Sequence, residues 1–272
     1  MQSFSVRYII LFSLAICGVC AIFVSSLAVS LAPLQDVNKV LDRKKNVLMA
    51  AGLLEAGEAI APEEVEKRFA SFTPVVVDLA TGQELADVDP VTFDQRKVRN
   101  DPATSEVAPQ NNAGIARVPN QALVYKAVDE AGELDMVIVP VEGYGLWSTL
   151  YGFLALDADL NTVKGLAYYE HGETPGLGGE VENPRWRSVW VGRKIYDDSG
   201  ATAIEVIKGA AGPVESAPHK IDGISGATIT ARGVSNMMRF WLGDEGFKPY
   251  FDNIHSGNLQ ASAPTPKSKE AA

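Results

Sequence analysis

The sequence predicts an α+β protein: a single N-terminal transmembrane helix followed by an antiparallel-sheet domain with flanking helices. Three observations carry that reading. Residues 8–34 contain no charge and are dominated by Ile, Leu, Val, Ala and Phe. Four strand-like runs between residues 123 and 169 fall into two pairs, each joined by a short turn, the pattern of antiparallel hairpins. Helical patterns flank these runs instead of alternating with them, which separates α+β from βαβ architectures.

Crossing a bilayer core takes ~20 apolar residues, and residues 8–34 supply them after a short N-terminal segment, 1–7. A cleavable signal peptide has an apolar region of only ~7–15 residues, so an uncleaved anchor is expected. Bulky Ile16 before Cys17 argues against a lipoprotein signal. Cys17 and Cys20 form a Cys-x-x-Cys one turn apart in an apolar helix, where packing is the expected role. Residues 35–120 read as a membrane-proximal region. Its first part, 35 to about 57, predicts a helix with the stripe Val37, Val40, Leu41, Val47, Leu48, Ala51 and Leu54. Pro62 restarts a short helix. Val75 to Val77 predict a buried strand closed at Ala80-Thr81-Gly82. Residues 90–122 are polar with scattered Pro and Asn, a long loop or irregular insertion.

The main domain is expected over 121–255. Strands are predicted at 123–128, 134–139, 151–156 and 163–169, a short helix at 184–190 and a further strand at 203–207. A helix follows Thr228, with Val234, Met237, Met238, Trp241 and Leu242 at the spacing of one face. A short helix near Tyr250 completes the domain. Residues 256–272 are rich in Ser, Ala, Pro and Lys and predict a disordered tail.

Composition narrows the function. The formal net charge of −10, with no basic run interleaved with aromatics, argues against nucleic acid. Two cysteines, both before residue 21, exclude a disulfide framework for the domain. His171, His219 and His255 are the only histidines. No ligand spacing repeats among them, so no metal site is expected, and His171 near Glu173 reads as a structural pair. No general acid or base stands out.

The most informative string is Asp222-Gly223-Ile224-Ser225-Gly226-Ala227-Thr228. It ends where a helix begins, and unpaired N–H groups there favour an anion. Gly226 permits close approach to the backbone. A hydroxyl at that place suits a phosphate or a phosphoester. A turn with a threonine N-cap accounts for the same letters, and Ser225 and Thr230 are competing hydroxyls. Two glycine-rich loops precede it: Gly143-Tyr144-Gly145-Leu146-Trp147-Ser148 and His171 to Gly179, with Glu173, Thr174, Gly176, Leu177 and Gly178. Their glycines leave the backbone open to a flat ligand, and Leu146, Trp147 and Leu177 are candidates to cover a ring.

Asp-x-x-Ser-Gly-Ala-Thr resembles the acceptor motif of flavin transferases, which implies FMN esterified through its phosphate to Thr228. The two loops and this motif, in this order behind one anchor, resemble the C-subunit family of the sodium-translocating NADH:quinone reductase. The resemblance runs from the anchor to about Asn258 and includes Phe93-Asp94-Gln95-Arg96-Lys97 with Asp101-Pro102. The equivalent flavin protein of Rnf-type ferredoxin-linked complexes shares the last two motifs but lacks a segment like 93–102, and ranks second. A non-catalytic flavin-binding regulatory module and a non-flavin interaction domain are the readings outside redox pumping. The preferred family implies a covalent FMN relaying single electrons, with no activity of the chain alone. It also implies partner proteins in a membrane redox complex, a flavin transferase for maturation, and a bacterial inner-membrane location with the domain in the periplasm. Lys39, Arg43, Lys44 and Lys45 follow the anchor and by the positive-inside rule point the other way; Asp36 and Asp42 partly offset them.

Overall fold

The computed structural model describes residues 5–258. Contacts divide the chain into residues 1–44 and residues 45–272. Helix α1 spans Val6–Ala50. Its Val6–Gln35 part is long and apolar enough to cross a membrane, with mean hydropathy 2.5 and no buried residue. The apolar span and the helix predicted to leave it are one continuous helix that runs through Pro33. It also ends seven residues before the expected limit near Gly57. Gly52 takes φ +73°, Leu53 N–H donates to the Leu48 carbonyl at 2.9 Å and Gly52 N–H to Met49 at 3.3 Å. These are the two bonds of a Schellman stop, which glycine makes without a Cβ penalty. Of the predicted stripe, Val47, Leu48, Ala51 and Leu54 are buried, whereas Val37 and Val40 are exposed.

After α2 (Pro62–Phe69) comes a six-stranded sheet. Its strands are β1 (Phe72–Asp78), β2 (Gln83–Glu84), β5 (Gln121–Val128), β6 (Leu134–Tyr144), β7 (Thr149–Asp157) and β8 (Val163–Glu170). They run in the order β2-β1-β5-β6-β7-β8, and every pairing is antiparallel. Both predicted hairpins form, and a third joins β6 to β7 across the Gly145 loop. The segment 90–122 is more ordered than its polar composition suggests. It carries α3 (Gln95–Asn100) and a small ladder of β3 (Ser105–Val107) with β4 (Arg117–Pro119). The signal is present in Asp94, whose carboxylate accepts from the Arg96 and Lys97 N–H groups as an N-cap.

Beyond the sheet come a 3-10 turn at Gly178–Glu182, α4 (Pro184–Ser188), the short parallel pair β9 (Glu205–Val206) and β10 (Lys220–Ile221), α5 (Thr228–Trp241) and α6 (Lys248–His255). One core joins Val124, Leu154 and Leu166 of the sheet to Trp190, Val234, Met237, Trp241 and Phe251. Helix α5 lies against β6. Trp241 donates from its indole nitrogen to the Glu142 carbonyl at 2.6 Å, and a Cβ on Gly143 would lie 2.7 Å from Met237 Cβ. From residue 259 onward the predicted tail lies outside the described residues.

Candidate functional site

Three separated stretches meet at one carboxylate. Glu173, on the loop after β8, is buried at 5% exposure. Its Oε1 accepts from the Leu146 and Trp147 N–H groups, both at 2.9 Å, and its Oε2 accepts from the Thr230 hydroxyl at 2.5 Å. The β6–β7 hairpin loop, the 171–179 loop and the first turn of α5 are thereby tied together. Burial alone raises the Glu173 pKa. The Thr230 hydroxyl and the Trp147, Leu146 and Ser148 N–H groups outweigh it, and the net shift is downward. Ser148, which carries no particular sequence signal, adds a second tie by accepting from Gly172 N–H at 2.5 Å. Glu173 N–H donates to His171 Nδ1 at 3.1 Å, the expected structural pair.

The glycines act differently from the sequence reading. A Cβ on Gly145 would fall 2.6 Å from Glu173 Oε1, and one on Gly178 would collide with Glu173 Oε2 and Thr230 Oγ1. These two make room for the carboxylate inside the protein. Among the loop glycines in the predicted site, Gly176 faces open space. Thr174 contributes its carbonyl, which accepts from Leu177 and Gly179 N–H.

The acceptor string is held from behind. Asp222 Oδ1 accepts from Ala211 N–H at 2.7 Å, the Asp222 carbonyl accepts from Trp186 Nε1 at 2.8 Å, and Gly223 N–H donates to the Gly209 carbonyl at 2.7 Å. The Asp222 carboxylate is thus committed to the backbone of the neighbouring loop. Gly226 sits at φ +73°, a left-handed geometry suited to glycine, and a Cβ there would meet Leu177 at 2.7 Å. Thr228 is the first helical residue, so the threonine N-cap alternative fails. Ala227 is the N-cap and has no side-chain acceptor to offer. The first-turn N–H groups lack intrahelical acceptors, so an anion there meets a positive dipole end and free donors.

The three hydroxyls now differ. Thr230 is buried and bonded to Glu173, while Ser225 and Thr228 are exposed. A groove of about 570 Å³ opens beside them, lined by Ser225, Gly226, Thr228, Lys208, Arg232 and Arg239. Arg239 pairs with Glu205 at 2.6 Å. Lys208 and Arg232, both exposed, escape sequence reasoning because no spacing links them to the motif. Around the loops Leu146 is 39% exposed, Trp147 64%, Leu177 44% and Ile229 54%, a concentration of apolar surface unusual for loops facing water. The residues therefore fit a flat, phosphate-bearing aromatic: exposed apolar side chains for the ring, free N–H groups and cations for the phosphate.

Comparison with known proteins decides the family. The FMN-binding domain profile matches residues 145–243, which contain all three elements. The C-subunit of the Na(+)-translocating NADH-quinone reductase of Pseudomonas aeruginosa is 46% identical over 91% of this chain and 95% of its own length. The chain belongs to that family. The Vibrio anguillarum member is 45% identical over 94% of this chain and 97% of its own. The crystal structure of Shewanella oneidensis NqrC, 40% identical, superposes with a TM-score of 0.73 over 80% of this chain and 99% of that one. The expected antiparallel core is thus a fold this chain shares with a solved member of the family.

Proposed function

We propose that this family member is the membrane-anchored flavin subunit of a sodium-pumping NADH:quinone oxidoreductase, with FMN esterified to Thr228 and passing single electrons between neighbouring redox centres. The observation that carries the tether is the contrast between two hydroxyls on one helix turn. Thr230 is buried and committed to Glu173. Thr228 is exposed at the helix start, beside an N-cap that supplies no acceptor.

When bound, FMN supplies a carrier able to hold one or two electrons; this chain supplies position and field. The free N–H groups of the α5 first turn, with Lys208 and Arg232 along the groove, would hold the phosphate. Leu146, Trp147, Leu177 and Ile229 would cover the ring and keep water from its faces. Asp222, Ser225, Gly226 and Ala227 shape the acceptor turn, and Glu173, Thr174, Gly176 and Gly178 shape the loop opposite. A covalent tether prevents loss of the cofactor, which matters if the domain faces the periplasm, where free FMN is scarce. Partner proteins of the complex would supply and remove the electrons, and a flavin transferase would make the ester.

Intact-protein mass spectrometry tests the tether. The wild-type chain should carry one FMN less one water, and Thr228→Ala should lack it. That variant should remain folded, since an exposed hydroxyl without a capping bond is worth within ~0.5 kcal/mol. Flavin retained by Thr228→Ala would move the site to Ser225.

A further inference from the structure

The carboxylate that joins the three loops has no countercharge. Among the described residues, none of the ion pairs involves Glu173, and its partners are a hydroxyl and backbone N–H groups. Such donors hold an anion in place and keep it ionised, but they leave its net charge intact. The chain makes deliberate room for it, since a side chain at Gly145 or Gly178 would collide with its oxygens. A burial of this kind for a clamp alone is wasteful, because a neutral amide of the same shape accepts the same Leu146 and Trp147 N–H bonds without the desolvation cost of a charge.

Each hydrogen bond leads to a segment proposed above to hold the flavin. Oε1 is bound by the backbone of Leu146 and Trp147, whose side chains are among the exposed apolar covers. Oε2 is bound by Thr230, two residues from Thr228. We infer that Glu173 is a positioning residue whose fixed negative charge sets the reduction potential of the flavin, holding it low. Reduction adds negative charge to the ring, and an uncompensated anion under low-dielectric loops opposes that more strongly than it would in water. A low potential suits a relay, since it disfavours electrons resting on the carrier.

This inference rests on the flavin tether proposed above, so the test reads mass before potential. The full-length chain and its Glu173→Gln and Glu173→Asp variants are purified with flavin attached, weighed intact, and titrated spectroelectrochemically. Glu173→Gln keeps the shape and removes the charge; Glu173→Asp keeps the charge and shortens the reach. The expected result is that Glu173→Gln carries FMN and, at fixed ambient potential, shows about a tenfold higher ratio of reduced to oxidised flavin, a rise of about 59 mV for a one-electron couple. Glu173→Asp should stay near the wild-type potential. An unchanged potential in loaded Glu173→Gln overturns the inference, as does an equal rise in Glu173→Asp. Failure of Glu173→Gln to hold flavin would assign the charge to building the site instead of setting its potential, and would overturn the inference too. A wild-type chain without the FMN mass would instead sink the tether reading, and with it this one.

Discussion

Replacing Gly233 with alanine sets helix propensity against packing at the site. Gly233 lies inside α5, where alanine should gain about 1 kcal/mol over glycine. A Cβ there, however, would sit on the Tyr144 carbonyl oxygen, 3.1 Å from Gly145 Cα and 3.3 Å from the Tyr144 carbonyl carbon. All three obstacles are backbone, so no rotamer change relieves them. Overpacking a tight contact costs roughly 1–3 kcal/mol or more, and the missing side-chain escape puts this one at the upper end. The net expectation is a loss of about 1–2 kcal/mol after the propensity gain. For a domain of this size that is a fall in Tm of roughly 2–8 °C. Thermal unfolding of the full chain in detergent, followed by tryptophan fluorescence, measures it. Because the displaced backbone is Tyr144-Gly145, next to the Glu173-bound N–H groups, flavin content should fall as well. A raised Tm with full flavin would show that α5 can slide off β6, and would refute the claim that this contact fixes the site.

Two further outcomes follow from the same reading. A phosphatase fused after Asn258, active only when exported, should be active; activity of a cytoplasmic reporter in its place would restore the orientation that Lys39, Arg43, Lys44 and Lys45 favour. The flavin-loaded chain should accept electrons from dithionite yet remain oxidised on mixing with NADH. Gly143 and Gly145 lie at a hairpin between β6 and β7, whereas a nicotinamide dinucleotide needs a glycine turn between a parallel strand and a helix. Rapid bleaching by NADH in a stopped-flow instrument would make this chain a dehydrogenase in its own right.

The hairpins, the anchor and α5 were legible because each follows from local periodicity. The ordered part of 90–122 was not, although the Asp94 cap could have revealed α3. Its small ladder joins residues ten or more apart and needs Ser105, whose hydroxyl accepts from Arg117 Nε at 2.8 Å. The acceptor string and both loops were readable as motifs. The bond that brings them together was not, since Glu173 and Thr230 are separated by 57 residues and neither is unusual alone. Lys208 and Arg232 were invisible for the same reason: they share a groove only once β9 and α5 are placed side by side.

The glycines show most clearly what a sequence motif conceals. In a string, Gly143, Gly145 and Gly178 look like openings for a ligand. In the fold their missing side chains are occupied by Met237, by the Glu173 carboxylate, and by Glu173 together with Thr230. The loops are therefore closed against the protein and present side chains outward, with Trp147 and Leu177 at the surface. Such loops are poorly suited to induced fit, because opening any one of them strands a buried carboxylate without its donors. They are well suited to a carrier that must not rearrange when its charge changes. The same bonds that fix the geometry keep the Glu173 carboxylate ionised, so if Glu173 tunes a bound flavin as proposed, rigidity and potential would have one structural origin.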